Sequence, residues 1–274
     1  RCTTNLLARR FDSAATMANV ARHQARVLVV VPVMLSRIVA SDEAMAIDVP
    51  SLRVIASSGS AISGRLVTDV LEHVGPVLYN LYGSTEVAVA SIAGPDELRR
   101  DPTTAGRPVN WVDVAILDDD GERLPDGQTG RIFVGGAFQF DGYTNGDDKE
   151  RLGHLVSSGD VGRLRDGLRF VEGRDDDMIV SGGENVFPSE VEELLHAHDA
   201  IADVAVVGVP DDEFGQVLVA FVVKQPGARL SATRVRDHVK ANLARHKVPR
   251  RVTFVDELPR NATGKVLRRE LSSR

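Results

Sequence analysis

Cysteine is nearly absent from this sequence: Cys2 is the one thiol in 274 residues. A lone thiol cannot close an internal disulfide, so the fold rests on no disulfide framework and suits a reducing compartment, the cytoplasm. Long apolar runs are missing as well. The longest, VLVVVPVML at 27–35, falls far short of the roughly 20 residues that a bilayer-spanning helix needs, and Pro32 interrupts it. No transmembrane segment is expected. An excess of positive charge is also lacking: 33 Lys and Arg stand against 39 Asp and Glu, for a formal net charge of −6. No nucleic-acid partner is expected from such a balance. The opening RCTTNLLARRF has neither an initiating Met nor the charged-then-apolar layout of a signal peptide. It reads as a chain entered in mid-domain.

What is present is ordinary for a soluble globular protein. Hydrophobic residues make up 43% and charged residues 26%, with length enough for more than one domain. Residues 1–103 alternate strand and helix signals. VLVVVP (27–32) reads as a buried strand, MLSRIVASDEAM (34–45) as a helix, LRVIASSGS (52–60) as a strand, LVTDVLEHV (66–74) as a helix and VLYNLYG (77–83) as a strand. Such alternation predicts a mostly parallel sheet covered by helices, with ligands at the carboxyl ends of the strands. The loops SSGSA (57–61) and YGSTE (82–86) are therefore the first places to look for a site.

Residues 104–175 change character. Strands separated by Asp-Gly and Pro-Asp-Gly turns predict a small antiparallel β unit. From 176 to 274 a third pattern predicts a compact α+β domain. Its helices are PSEVEELLHAH (188–198), with Val191, Leu194, Leu195 and His198 on one face, and a second over 231–244, capped by Ser231 and burying Val235, Val239 and Leu243. Its strands are 203–210, 216–224 and 250–259. The run Asp175-Asp176-Asp177 falls on the boundary between the last two units.

Familiar catalytic motifs do not match. Gly264-Lys265 lacks the first glycine and the trailing Ser/Thr of a P-loop, no G-x-G-x-x-G follows a strand, and no HExxH occurs among the seven histidines. Three scattered pieces remain. YGSTE ends a strand and supplies an aromatic ring, small residues and a carboxylate. Asp160 in SGD (158–160) is placed to accept hydrogen bonds from vicinal hydroxyls. Lys265 lies on a Thr-Gly turn in NATGKVLRRE (261–270). Taken singly, Glu86 also fits a helix-capping acid, Asp160 an Asx-turn residue and Lys265 a solvated cation.

In their order and spacing these pieces are specific. With TAGRPV (104–109), GYTNGDDKE (142–150), SSGDVGRL (157–164), GRDDDMIVSGGENVFPSEVE (173–192) and LPRNATGKVLRREL (258–271), the chain resembles the carboxyl-terminal half of the adenylate-forming superfamily. That group holds acyl-CoA synthetases, firefly luciferases and the adenylation domains of peptide synthetases. The wording of GGENVFPSEVE and the lack of a following carrier domain are most similar to a fatty acyl-CoA synthetase.

The resemblance implies an α/β fold: the later part of a large α/β plus β-barrel domain (1–175), then a small mobile α+β domain (176–274). It implies the ATP-dependent conversion of a fatty acid to acyl-AMP, and transfer of the acyl group to coenzyme A. Lys265 matches the adenylation lysine, Glu86 the Mg²⁺ ligand and Thr85 the α-phosphate contact. Tyr82 would stack on adenine with Asn80 near the base edge, Gly83 and Ser84 beside the nucleotide, and Asp160 on the ribose hydroxyls. Gly59, Ser60 and Ala61 match the loop that borders the nucleotide and acyl pockets, and Arg174 would support the ribose. Asp176 matches the hinge about which the small domain turns, and Gly182, Gly183 and Asn185 the segment past which the pantetheine thiol approaches.

One departure carries weight. The Ser/Thr/Gly-rich phosphate loop of the family is not found in these residues, which predicts that this polypeptide alone adenylates poorly. Expected partners are a fatty acid, ATP and coenzyme A, with a homodimer as a candidate assembly. Two alternatives stay open: an acyl-AMP ligase that loads a carrier protein, and a noncatalytic remnant used for binding.

Overall fold

The computed structural model describes residues 4–261 and 264–273. Cys2, Ala262 and Thr263, the last of these on the expected Thr-Gly turn, lie outside the described residues. Three five-stranded sheets follow one another along the chain.

The first sheet is wrapped by α1 (Ser13–Arg22), α2 (Pro32–Val39), α3 (Asp42–Met45), α4 (Gly64–His73) and α5 (Pro95–Arg100). Its strands run in the order β1 (Val27–Val30), β2 (Val54–Ser57), β3 (Leu78–Ser84), β4 (Ala88–Ala93) and β5 (Arg107–Pro108). The first three pair in parallel, and β4 and β5 add antiparallel. Helix starts are chemically marked: Asp12 accepts from Ala15 N–H at 2.8 Å, Ser41 caps α3, and Ser63 caps α4. Leu35, Ile38, Ile55, Val67, Val70 and Leu78 are buried between sheet and helices.

The second sheet is antiparallel, with β6 (Asp113–Leu117), β7 (Thr129–Gly135), β8 (Arg151–Leu152), β9 (Leu155–Arg165) and β10 (Leu168–Arg174) in the path β10-β9-β7-β6, and β8 on β9. Register shifts at Arg131/Phe133 and Val171/Gly173 bend it.

After a 3₁₀ turn at Asp175–Asp177 comes the third sheet. It holds β11 (Ile179–Ser181), β12 (Glu184–Val186), β13 (Ile201–Asp211), β14 (Gly215–Lys224) and β15 (Arg251–Phe254), the last parallel to β14. Helices α6 (Pro188–His196) and α7 (Ala232–Asn242) bury Val191, Leu195, Val235 and Val239 against one face. Leu271 of α8 (Arg268–Ser272) and Leu258 cover the other.

Several expectations needed correction. The run 27–32 is not a buried strand. It ends at Val30 and forms an edge of the first sheet, leaving Val27 54% and Val29 74% exposed. Pro32, read as the last residue of that strand, instead starts α2 at its first turn, where a missing N–H costs nothing. The helix expected over 34–45 is two helices, because Ser41 caps a fresh start. Strand β2 covers only Val54–Ser57 of the stretch 52–60, and β15 only Arg251–Phe254 of 250–259. Arg107–Pro108, grouped by sequence with the antiparallel unit, pair with β4 in the first sheet. Helix α6 stops at His196, so His198 lies past its end. Helix α7 stops at Asn242, with Leu243 as its C-cap, only partly buried against the core.

Candidate active site

The ends of β3 and β10 and the middle of β9 converge on one cluster. Tyr82 in β3 donates its hydroxyl hydrogen to Asp160 Oδ2 at 2.7 Å and lies 3.1 Å from Ser158 Oγ. Ser158 in turn donates to Ile132 O at 3.0 Å and accepts from Asp160 N–H at 3.1 Å. Arg174, the last residue of β10, brings Nη1 to 3.8 Å from Asp160 Oδ1 and donates through Nε to Asp176 at 2.9 Å. The second carboxylate oxygen of Asp160 is thus left to a weak ion pair, with capacity to accept from a ligand hydroxyl.

Electrostatics follow from burial. Desolvation raises the Asp160 carboxyl above its ordinary value, against the opposing pull of Tyr82, Arg174, Ser158 and the charge of Lys265. Burial, then the nearby Asp160 charge, push the Tyr82 phenol well above its usual range, so it stays a donor.

Glu86 sits in the turn after β3. Its N–H donates to Ser84 Oγ at 3.3 Å, its carbonyl accepts from Phe140 N–H at 3.0 Å, and its carboxylate accepts from the Tyr143 hydroxyl. Partial burial raises this carboxyl, but the hydrogen bonds from Tyr143 and Ser84 and the charge of Lys149 outweigh it, and the net shift is downward. An ionised single carboxylate suits Mg²⁺, which takes one or two protein oxygens and fills its shell with water and phosphate. Among the described residues no group of three or more acids, histidines or cysteines forms a fuller metal cage. Thr85 is exposed in the same turn.

The remaining nucleotide-side candidates line the neighbouring loops. Asn80 donates from Nδ2 to Thr104 O at 3.2 Å, tying β3 to the TAGRPV segment. Gly59, with Ser60 and Ala61 after it, has φ +93°, and a Cβ there would lie 3.4 Å from Val31 Cγ1. Gly83 answers to backbone packing: a Cβ would fall 1.9 Å from Ala88 O at a register shift between β3 and β4.

Lys265 is exposed on a loop whose frame is closed by Lys265 N–H to Asn261 Oδ1 at 2.9 Å and by Arg260 to Gly264 O at 2.7 Å. A Cβ on Gly264 would come within 2.9 Å of Val33 and 3.4 Å of Val31. Val31 therefore lies beside both the Gly59 loop and the Lys265 loop. Gly182 and Gly183, at φ +62° and +86°, form the two-residue turn joining β11 and β12, where positive φ at both positions demands glycine. That turn packs on Phe214 through Gly182 N–H to Phe214 O at 2.9 Å, with Asn185 exposed on β12.

The three consecutive aspartates each meet a different arginine. Asp175 lies 3.7 Å from Arg131, Asp176 2.9 Å from Arg174 and Asp177 3.4 Å from Arg268.

Sequence reasoning missed Tyr143, Lys149, Ser158 and Val31. The first two stand in GYTNGDDKE, a motif that carried the resemblance without a residue-level role.

The AMP-binding enzyme family model matches residues 2–144, just over half the chain. The chain belongs to this family. A second model, the AMP-binding enzyme C-terminal domain, matches residues 190–265. Indoleacetate–CoA ligase of Aromatoleum aromaticum is 36% identical over 270 residues, covering 96% of this chain and 52% of that protein. Fatty acid–[acyl-carrier-protein] ligase ScoC of Streptomyces coeruleorubidus is 33% identical over 253 residues, covering 89% and 49%. Among solved structures, ATP-bound MatB from Rhodopseudomonas palustris superposes with a TM-score of 0.90 at 29% identity, covering 97% of this chain and 54% of that chain. The chain spans about half the length of the curated relatives it matches. No helix among the described residues is long and apolar enough to cross a membrane.

Proposed function

We propose that this chain carries the nucleotide-binding and lysine-bearing half of an acid–thiol ligase that forms acyl-AMP from a fatty acid and ATP and passes the acyl group to coenzyme A. The observation that carries the reading is the Tyr82–Asp160–Arg174 cluster. In the first step a carboxylate oxygen attacks the α-phosphorus and pyrophosphate leaves. In the second the coenzyme A thiolate attacks the acyl carbon and AMP leaves with the bonding electron pair.

Two anions meet in the first step, and a cation between them lowers its barrier. Lys265 takes that role, with Thr85 at the α-phosphate. Asp160 holds the ribose hydroxyls, Arg174 supports it, and Tyr82, Asn80, Gly83, Ser84 and the loop Gly59, Ser60 and Ala61 bound the nucleotide. Glu86 would hold Mg²⁺, which offsets charge on the departing phosphates when bound. Asp176 is the hinge between residues 1–175 and 176–274, and the Gly182-Gly183 turn with Asn185 is the thiol approach after the turn of the small domain. The single cysteine agrees with a cytoplasmic setting. A carrier-protein thiol as acceptor is the second reading, favoured by the likeness to a fatty acid–[acyl-carrier-protein] ligase.

Fatty-acid-dependent ATP–pyrophosphate exchange tests the proposal on this chain and on the longest polypeptide its gene encodes. Exchange in the longer protein supports it, and supplying coenzyme A or a carrier protein then identifies the acceptor. Absence of exchange in both overturns the adenylating role.

A further inference from the structure

One carboxylate outside the nucleotide cluster crosses from the third sheet's helices to the first. Glu193 of α6 accepts the Gly64 N–H through Oε1 at 2.8 Å. Gly64 opens α4, and an amide in that position has no acceptor within its own helix. Ser63, the N-cap, satisfies Leu66 N–H at 3.3 Å and leaves Gly64 for another partner. A carboxylate there is also favoured by the positive end of the helix dipole.

The contact is fitted. Gly64 is buried, and a Cβ on it would stand 2.9 Å from Glu193 Oε1, 3.3 Å from Thr103 and 3.4 Å from Pro102. Only glycine lets the carboxylate come so close. An exposed ion pair from Arg65 to Asp199, at 3.2 Å, runs beside it. Burial raises the Glu193 carboxyl, with the Gly64 amide and His196 drawing it down and Asp101 pushing it up. A side-chain amide oxygen can accept the same Gly64 N–H, though without the charge that the helix end favours.

Helix α4 follows the SSGSA loop, and α6 follows the Gly182-Gly183 hairpin. A separate contact joins the same two parts of the chain, where Gly264 meets Val31 and Val33. Together with the Arg65–Asp199 pair, these contacts hold the Lys265 loop beside Val31, which also borders the Gly59 loop. Glu193 supplies the directional one, because a hydrogen bond to a fixed amide fails with a small rotation while apolar contact slides.

We propose that Glu193 is a docking latch: by accepting the Gly64 amide it holds the C-terminal part of the chain in the orientation that brings Lys265 to the nucleotide site, and it releases that amide whenever that part turns. The inference rests on the proposed adenylating role of Lys265. Glu193 touches no reacting atom, so it is a positioning residue.

The latch is read first on the 274-residue chain. Hydrogen exchange of the Gly64 amide should be slow in the wild type and in Glu193→Gln, which keeps an oxygen acceptor. Glu193→Ala should speed it by about tenfold, the effect of one lost hydrogen bond. Gly64→Ala, a change that otherwise favours a helix, should release the carboxylate without touching Glu193. Spin labels at Glu72→Cys and Thr233→Cys, with Cys2→Ser, should give one narrow distance in the wild type and Glu193→Gln, and a broad distribution in Glu193→Ala and Gly64→Ala. Fast wild-type exchange, or a distance distribution that Glu193→Ala leaves unchanged, overturns the latch. In the longest polypeptide of the gene, Glu193→Ala should lower pyrophosphate exchange about tenfold, spare thioester formation from supplied acyl-AMP, and be rescued by Glu193→Gln. A loosened orientation with unchanged pyrophosphate exchange keeps the latch and overturns the role given to Lys265 in that orientation.

Discussion

Tyr82 and Asp160 are joined by a 2.7 Å hydrogen bond between residues 78 positions apart, so the end of β3 and the middle of β9 act as one unit. The phenol occupies one carboxylate oxygen and orients the other. A ligand hydroxyl arriving there meets a fixed acceptor with no rotamer to freeze.

Asp160→Asn should separate stability from binding. Burial raises the wild-type carboxyl, so its favourable contribution is full below its unfolded value and is lost as pH rises through the folded one. Asparagine cannot ionise, and the variant should gain melting temperature on the wild type as pH is raised from about 3.5 to about 7. AMP affinity should fall by about tenfold or more, since a charge-assisted acceptor is lost. Calorimetry and AMP titration read both effects, and a variant that melts earlier yet binds AMP normally would refute the assignment.

Tyr143→Phe should act on Glu86. Against the raising effect of burial, the Tyr143 hydrogen bond is the largest influence that lowers this carboxyl. Its removal moves the carboxyl upward, so ionisation, and with it the metal binding proposed for Glu86, should be lost at a higher pH. The acid limb of pyrophosphate exchange at limiting Mg²⁺ should shift to higher pH, while an unmoved limb assigns the metal to another group.

Lys265→Ala, made in the longest polypeptide of the gene, should reduce pyrophosphate exchange by about 10²–10³-fold. Thioester formation from supplied acyl-AMP should persist. The side chain is exposed, so melting should hardly change. Equal loss in the two half-reactions is the result that excludes the role.

Val29→Lys addresses the open edge of the first sheet. Val27 and Val29 leave β1 with exposed apolar side chains and, among the described residues, an unpaired ladder on one side, the geometry from which sheets recruit further chains. A lysine there should lower the self-association of this chain in light scattering while melting stays within about 0.5 kcal/mol of the wild type. Unaltered scattering would place the sticky surface elsewhere.

Much of this was legible in sequence because local chemistry carries it. Ser231 and the stripe Val235–Val239 mark α7, and YGSTE and SGD name both ends of the Tyr82–Asp160 bond. What escaped depends on contacts between distant residues. Tyr143 meets Glu86 across 57 positions and Glu193 meets Gly64 across 129, and neither side chain differs locally from a solvated one. The apolar run at β1 was misread because hydrophobicity tells that a surface is to be covered, not by what. Pro32 was counted into that strand although a proline is equally suited to the first turn of a helix, where it stands in α2.

The triple aspartate has a mechanical consequence. Asp175 is tethered to Arg131 in β7 and Asp177 to Arg268 in α8, while Asp176 between them pairs with Arg174, two residues earlier in the chain. A twist concentrated at the middle residue leaves the outer two ion pairs standing, like a shaft turning in two fixed bearings. For the hinge proposed at Asp176, the turn of the small domain would then have a defined axis, set by Arg131 and Arg268.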